Sequence, residues 1–400
     1  MRTSWMSLLL CTALLLVACS GISPTAPPSS PTAVSTGPVS TGGGGTSTSV
    51  KGPFSPTGSL TAARANHTAT LLPSGKVLIT GGDGVGSQPL ASAELYDPST
   101  GMFTTAGSMT TVRTWGHTAT LLANGTVLIA GGSDKESVYE PLASAEIYDP
   151  STGKFTLTGS MTTVQRVDSA TLLQDGRVFF AGETDAEIYD PAAGTFAPTG
   201  AYVDATPTFG NAVTLLNGQV LLTGCTAQCM VGATELFDPK SGTFSTTGPM
   251  TGSTWGNVNT ATLLTDGRVL IVGNAENDGT PADAELYDPA AGTFTSIGKT
   301  PAPHEFAAAV RLTDGTVLIT GGQLPGGNGS AGSDLYSPSA SPATGTFASA
   351  ADNMTTARHS HTATLLSDGT VLIVGGYSTW PTPTASAEIY DPSCKGCWDY

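Results

Sequence analysis

A hairpin-turn glycine returns seven times in this chain, at Gly75, Gly125, Gly176, Gly218, Gly267, Gly315 and Gly369, roughly every 50 residues. That spacing excludes a fold built round one core. A period of this length marks a supersecondary unit that cannot bury its own apolar face and must stack on copies of itself. In the first copy the unit reads His67-Thr-Ala-Thr-Leu-Leu72, Pro73-Ser-Gly-Lys76, Val77-Leu-Ile-Thr-Gly-Gly82, a variable loop, Ala93-Glu-Leu-Tyr-Asp-Pro98, and then Met102-Phe103. Six of the seven turns are Asn-Gly or Asp-Gly, the strongest short hairpin signal, so the first two apolar runs form a tight pair of strands, a and b. The Tyr-Asp-Pro segment is strand c, ended by a proline that cannot donate to a ladder, and the Gly-x-Phe segment starts strand d.

Composition agrees. With 39% hydrophobic residues the chain can build cores, and with only 12% charged residues, 50 Gly and 27 Pro it does not read as a helical bundle. The net charge is −16 and no segment has a basic excess, which argues against nucleic-acid binding and a polybasic membrane patch.

Four short strands per unit, with Gly-Gly ending the second at 81–82, 131–132, 321–322 and 375–376, resemble the kelch repeat. The pair shrinks to single Gly182, Gly224 and Gly273, and the likeness runs from residue 54 to about 392. It implies an all-β, seven-bladed kelch-type β-propeller with four antiparallel strands per blade, like the central domain of galactose oxidase. Phe103, Phe155, Phe196, Phe244, Phe294 and Phe347 mark strand d in six units, and the seventh set ends at Tyr390-Asp-Pro392 with few residues left. Phe54-Ser-Pro-Thr-Gly-Ser-Leu60 matches the segment at Phe103, so the N-terminal segment near Phe54 is expected to supply the outer strand of blade seven and close the ring. Trp398 is its rival for that slot.

Residues 1–18 read as a signal peptide, with Arg2 ahead of an apolar run too short to span a bilayer. Leu16-Val-Ala-Cys19 resembles the bacterial lipobox, which implies a lipoprotein lipidated at Cys19, exported and held at the cell membrane by that lipid alone. Ser20 in place of an Asp favours the outer membrane if the cell is Gram-negative. Residues 19–52 are a Ser/Thr/Pro/Gly-rich tether with no core-forming capacity, and 53–400 form the propeller.

Glu94, Glu146, Glu187, Glu235, Glu285 and Glu388, with Asp97, Asp149, Asp190, Asp238, Asp288 and Asp391, recur once per unit, which argues for turn caps and for pairs with Arg64, Arg113 and Arg358. The start of strand a reads His67, His117, Asp168, Asn211, Asn259, Ala307 and His361, a polar ring near one channel mouth expected to be hydrogen-bonded strand starts. Cys225 with Cys229 and Cys394 with Cys397 lie on opposite faces and are expected to form two local disulfides in an exported protein.

Turns a-b and loops c-d share one face. The long, irregular b-c and d-a loops share the other, where function usually sits. Trp115, Trp255 and Trp380 lie in those loops at positions no repeat demands, flanked by Arg113, Tyr139, Phe209, Glu305, His359 and Tyr377. Arg113, Trp115, Phe209, Trp255, His359, His361, Tyr377 and Trp380 are the candidate ligand-binding residues for a protein or glycan partner, because large aromatics give contact area at low entropy cost. The resulting expectation is a membrane-tethered recognition module with no catalytic residue, metal or cofactor, and not an enzyme. The alternatives are a purely structural envelope protein and a copper-radical oxidase. The resemblance to galactose and glyoxal oxidases implies for the latter two Tyr and two His ligands, one Tyr cross-linked to Cys.

Overall fold

The computed structural model describes residues 52–134, 140–203, 207–226, 232–251, 259–273, 279–339 and 344–394. The signal and tether with Cys19, and Tyr139, Cys229, Trp255, Cys397 and Trp398, lie outside them, as do the side chains of Phe209 and Cys225. Within the described residues there are eight four-stranded antiparallel sheets and no α-helix.

Seven of these sheets hold one repeat each. In sheet 1 strands a to d are Thr68–Leu71, Val77–Thr80, Ser92–Asp97 and Met102–Ser108, hydrogen-bonded in that order. Strand b is buried along its whole length, which is why it reads as an unbroken apolar run instead of an alternating one. Both its faces are covered because each sheet packs on two others. The apolar clusters show the arrangement: Val77 and Ile79 of sheet 1 pack with Leu372 and Val374 of sheet 7, while Leu78 packs with Val127 and Ile129 of sheet 2. Seven such clusters occur among the described residues, each shared by two neighbouring sheets, and the strands a touch in cyclic order back to the first. This is the kelch-type β-propeller that the repeat implies.

Sheet 7 consists of Thr362–Leu365, Val371–Val374, Ala387–Tyr390 and, as its outer strand, Phe54–Pro56. Phe54 pairs with Tyr390, and their ring centroids are 4.8 Å apart, the same separation as Tyr96 and Phe103 in sheet 1. Phe54 thus fills the slot, in the register of every other strand d.

The Gly-Gly pair has a steric cause. Gly81 (φ 65°) and Gly82 (φ 95°) both have left-handed backbone. A Cβ on Gly81 would stand 2.6 Å from the Arg113 carbonyl and 2.9 Å from the His117 imidazole of sheet 2; one on Gly82 would press on the Ala65 carbonyl and lie 2.9 Å from the His67 Cβ. His67 and His361 crowd Gly375 and Gly321 of their preceding sheets in the same way. The sheets whose strand a starts with Asp168, Asn211 or Asn259 keep only the first glycine of the pair, as Gly182, Gly224 and Gly273.

After the glycine pair the a-b ladder resumes beyond a bend, joining Ala65 to Asp83, Thr114 to Ser133, Glu305 to Gln323 and His359 to Tyr377. The eighth sheet is built from two b-c loops. Gln323–Leu324 and Asn328–Gly329 from sheet 6 join Tyr377–Thr379 and Thr382–Pro383 from sheet 7, and the Trp380 amide donates to the Gly327 carbonyl at 2.7 Å.

Candidate functional site

The repeated acids are structural. Glu146, fully buried, accepts from the backbone amides of Thr110 at 2.7 Å and Thr111 at 3.2 Å and from the Arg113 guanidinium at 3.2 Å. Arg113, equally buried, also donates to the carbonyls of Gly131 and Ser144, both at 2.8 Å. Arg64 with Glu94 and Arg358 with Glu388 repeat the clamp, and His304 replaces the arginine in sheet 6, set between the Gly321 carbonyl and the Asp334 carboxylate. The Asp of Tyr-Asp-Pro accepts from the amide two residues on, as Asp97 does from Ser99 at 3.0 Å. Arg113 therefore does not line a ligand site, a correction to the sequence-based expectation, since the clamp needs its guanidinium in the interior.

His361 is corrected for the same reason. It is buried with its Nε2 2.9 Å from the Thr320 hydroxyl, while His117 Nε2 meets the Thr80 carbonyl and His67 Nε2 the Thr362 hydroxyl. Burial pushes all three imidazoles below their ordinary pKa, His117 to about 4. The unfolded chain takes up protons below pH 6.5 that the folded one refuses until pH falls to about 4. Stability is therefore lost as pH falls through that window, by roughly 3 kcal/mol for His117 alone. Thermal melts between pH 7 and pH 4 are expected to show this acid limb, and His117→Asn, the residue sheets 4 and 5 use here, to flatten it; an unchanged limb contradicts the assignment.

Four of the candidates do converge. Trp115, His359, Tyr377 and Trp380 line one cavity of about 270 Å³ on the irregular-loop face, together with Glu305, Phe306, Gln323 and Ser360. Trp115 stands at the start of strand a of sheet 2 (Thr114–Leu121), loops d-a bring Glu305, Phe306, His359 and Ser360, and the b-c connections bring Gln323, Tyr377 and Trp380. Sequence reasoning missed Phe306, Gln323 and Ser360. The structure shows what the sequence does not: Asn66, Gly116, Phe306 and Ser360 each precede a residue at the polar-ring position, and all four have positive φ. Trp115 (φ 40°), Phe306 (φ 54°) and Ser360 (φ 52°) hold this left-handed conformation around the cavity, each at a cost of about 1–3 kcal/mol, and such strain gathers at functional sites.

Behind Tyr377 lies a hub on Asp83, which is fully buried. Its carboxylate accepts from the Thr114 hydroxyl, from Asn66 Nδ2 at 2.7 Å and from the Tyr377 hydroxyl at 2.7 Å. Burial, then the Asp83 charge, hold the Tyr377 phenol well above its ordinary pKa, so it keeps its proton. His359 is 2% exposed and its ring lies 5.3 Å from that of Tyr377. Burial lowers it to about 4, with the Gly327 backbone partly offsetting the effect, so it is neutral near pH 7. Glu305 is half-buried; its Oε2 has no hydrogen-bond partner, and burial raises its pKa.

A larger hollow, about 520 Å³, lies on the opposite face along the turns at Asp175 and Asn217. Arg177 there pairs with Asp175, and Asp238 caps the Lys240 backbone amide. Cys394 is disulfide-bonded; Cys397, its expected partner, lies outside the described residues.

Residues 116–162 match the Kelch motif family. No curated protein matches the sequence significantly. Among solved structures the fold is similar to a fungal alcohol oxidase of the AA5 family in complex with copper, with TM-score 0.64 and 18% identity over 86% of this chain and 76% of that one. This likeness corrects the expectation that the chain is not an enzyme, because the same fold carries alcohol oxidation in that protein. The copper-radical donor set is a separate matter. Tyr377 has committed its proton to Asp83, His361 is engaged by Thr320, and His359 is the one imidazole lining the cavity. No group of three or more His, Cys, Asp or Glu side chains is placed to hold a metal among the described residues. The described residues therefore do not fit that copper centre.

Proposed function

We propose that this propeller is a glycan-recognition module, presented at the bacterial cell surface on a lipid tether at Cys19 and binding through the aromatic cavity of the irregular-loop face. One observation carries the reading: four aromatic or imidazole side chains that no repeat position requires come from three separate segments of the chain and meet in one cavity. Its size admits one sugar residue and falls below that of sites for drug-sized molecules. Stacking on Trp115 and Trp380 supplies apolar contact, while Gln323, His359, Ser360 and Glu305 supply polar handles for ring hydroxyls. The tether reading rests on the lipobox-like sequence and on the low-complexity segment after it.

The test is a glycan array probed with the full chain and with Trp115→Ala and Trp380→Ala variants. Trp380 is 57% exposed, so its loss leaves the cores untouched. The expected result is binding to a defined set of sugars that each variant weakens by roughly tenfold or more. Binding unaffected by both substitutions, or no sugar bound at all, would overturn the reading and direct the search to protein partners.

A further inference from the structure

We infer that the chemical group this cavity takes up is an organic cation, the ammonium of an amino sugar or a quaternary ammonium. This inference rests on the cavity being the binding site and not on the ligand being a sugar. Glu305 brings a carboxylate oxygen that is buried and has no hydrogen-bond partner. Such a group is costly to keep unless something compensates it.

Among the described residues no cation is placed against that oxygen. Of the described arginines on this face, Arg64, Arg113 and Arg358 are closed in their glutamate clamps, and Arg166, whose stem lies beside Gly116, pairs with Glu183 at 3.3 Å. His359 is the other titratable base on the cavity wall, and burial keeps it neutral near pH 7. His304, next to Glu305 in the chain, has its ring nitrogens against the Gly321 carbonyl and Asp334. A ligand cation would supply the missing charge.

The walls favour the same class. The rings of Trp115, Phe306, Tyr377 and Trp380 surround the space, and aromatic faces attract cations, most strongly once these are out of water. Asp83 adds a second carboxylate behind Tyr377. The net charge of −16 repels anions and draws cations toward the protein. An anionic ligand would meet Glu305 without a counter-charge. A neutral sugar could donate hydroxyls to Glu305 but would gain little from four aromatic faces beyond stacking.

The experiment titrates the full chain with tetramethylammonium, glucosamine, N-acetylglucosamine and glucose at one ionic strength, followed by tryptophan fluorescence and calorimetry, beside Glu305→Gln and Trp380→Ala. Glucosamine or tetramethylammonium is expected to bind about tenfold or more tightly than glucose, and Glu305→Gln to remove that preference. Trp380→Ala, at an exposed position, is expected to weaken every ligand that binds. The two cations distinguish an amino-sugar source from a quaternary one. Equal affinity for glucose and glucosamine overturns the charge assignment and leaves the glycan reading standing. Tetramethylammonium binding without any sugar binding does the reverse. A preference for cations that survives Glu305→Gln overturns the role of Glu305.

Discussion

Arg113→Ala is expected to lower the stability of the propeller by about 3–5 kcal/mol, read as a shift in the urea unfolding midpoint. The guanidinium is fully buried and donates to Gly131, Ser144 and Glu146, so its removal strands a buried carboxylate and two carbonyls at once. Most of the loss is the stranded charge, not the value of the pair. Accordingly, Arg113→Met combined with Glu146→Leu is expected to recover much of it. Arg177→Ala is the control, since that arginine sits on the surface beside Asp175 and such pairs contribute about 0–1 kcal/mol. An Arg113→Ala loss no larger than the Arg177→Ala loss would mean that the clamp does not hold the loop face in place.

Phe54→Ala is expected to cost about 3–5 kcal/mol, close to the cost of Phe103→Ala. Both rings are more than nine-tenths buried and both pack on the tyrosine of strand c at 4.8 Å. The two differ in what they close. Phe103 follows its own strand c directly, while Phe54 reaches Tyr390 from the other end of the chain and covers the edge of Ala387–Tyr390. Loss of the latch is therefore expected to raise protease sensitivity at both ends of the fold as well as to lower the melting temperature. A cost near zero for Phe54→Ala, beside a normal cost for Phe103→Ala, would show that the N-terminal strand is only laid against the ring.

What is local in this fold was readable in the sequence. The turn glycines, the Tyr-Asp-Pro strand ends, the Arg and Glu partners and the outer strand at Phe54 each follow from a short pattern repeated in register. The cavity follows from closure. Trp115 opens strand a of sheet 2, Phe306 enters sheet 6, and Tyr377 and Trp380 leave strand b of sheet 7; they become neighbours because sheet 7 meets sheet 1 in the ring. No short-range signal encodes that meeting. Arg113 and His361 were misassigned because charge and aromaticity in a loop look alike whether the side chain faces solvent or is folded inward. The crowding of Gly81, Gly321 and Gly375 by the imidazole of the following sheet is a contact visible only once the sheets are stacked.

The central claim, that the irregular-loop cavity is the recognition site, is tested most directly by hydrogen–deuterium exchange of the full chain with and without bound glucosamine or tetramethylammonium. The account predicts added protection at residues 305–306, 323–324, 359–360 and 377–380, with none at the turns 174–177 and 217–219. Protection confined to those turns, on the opposite face, would contradict it.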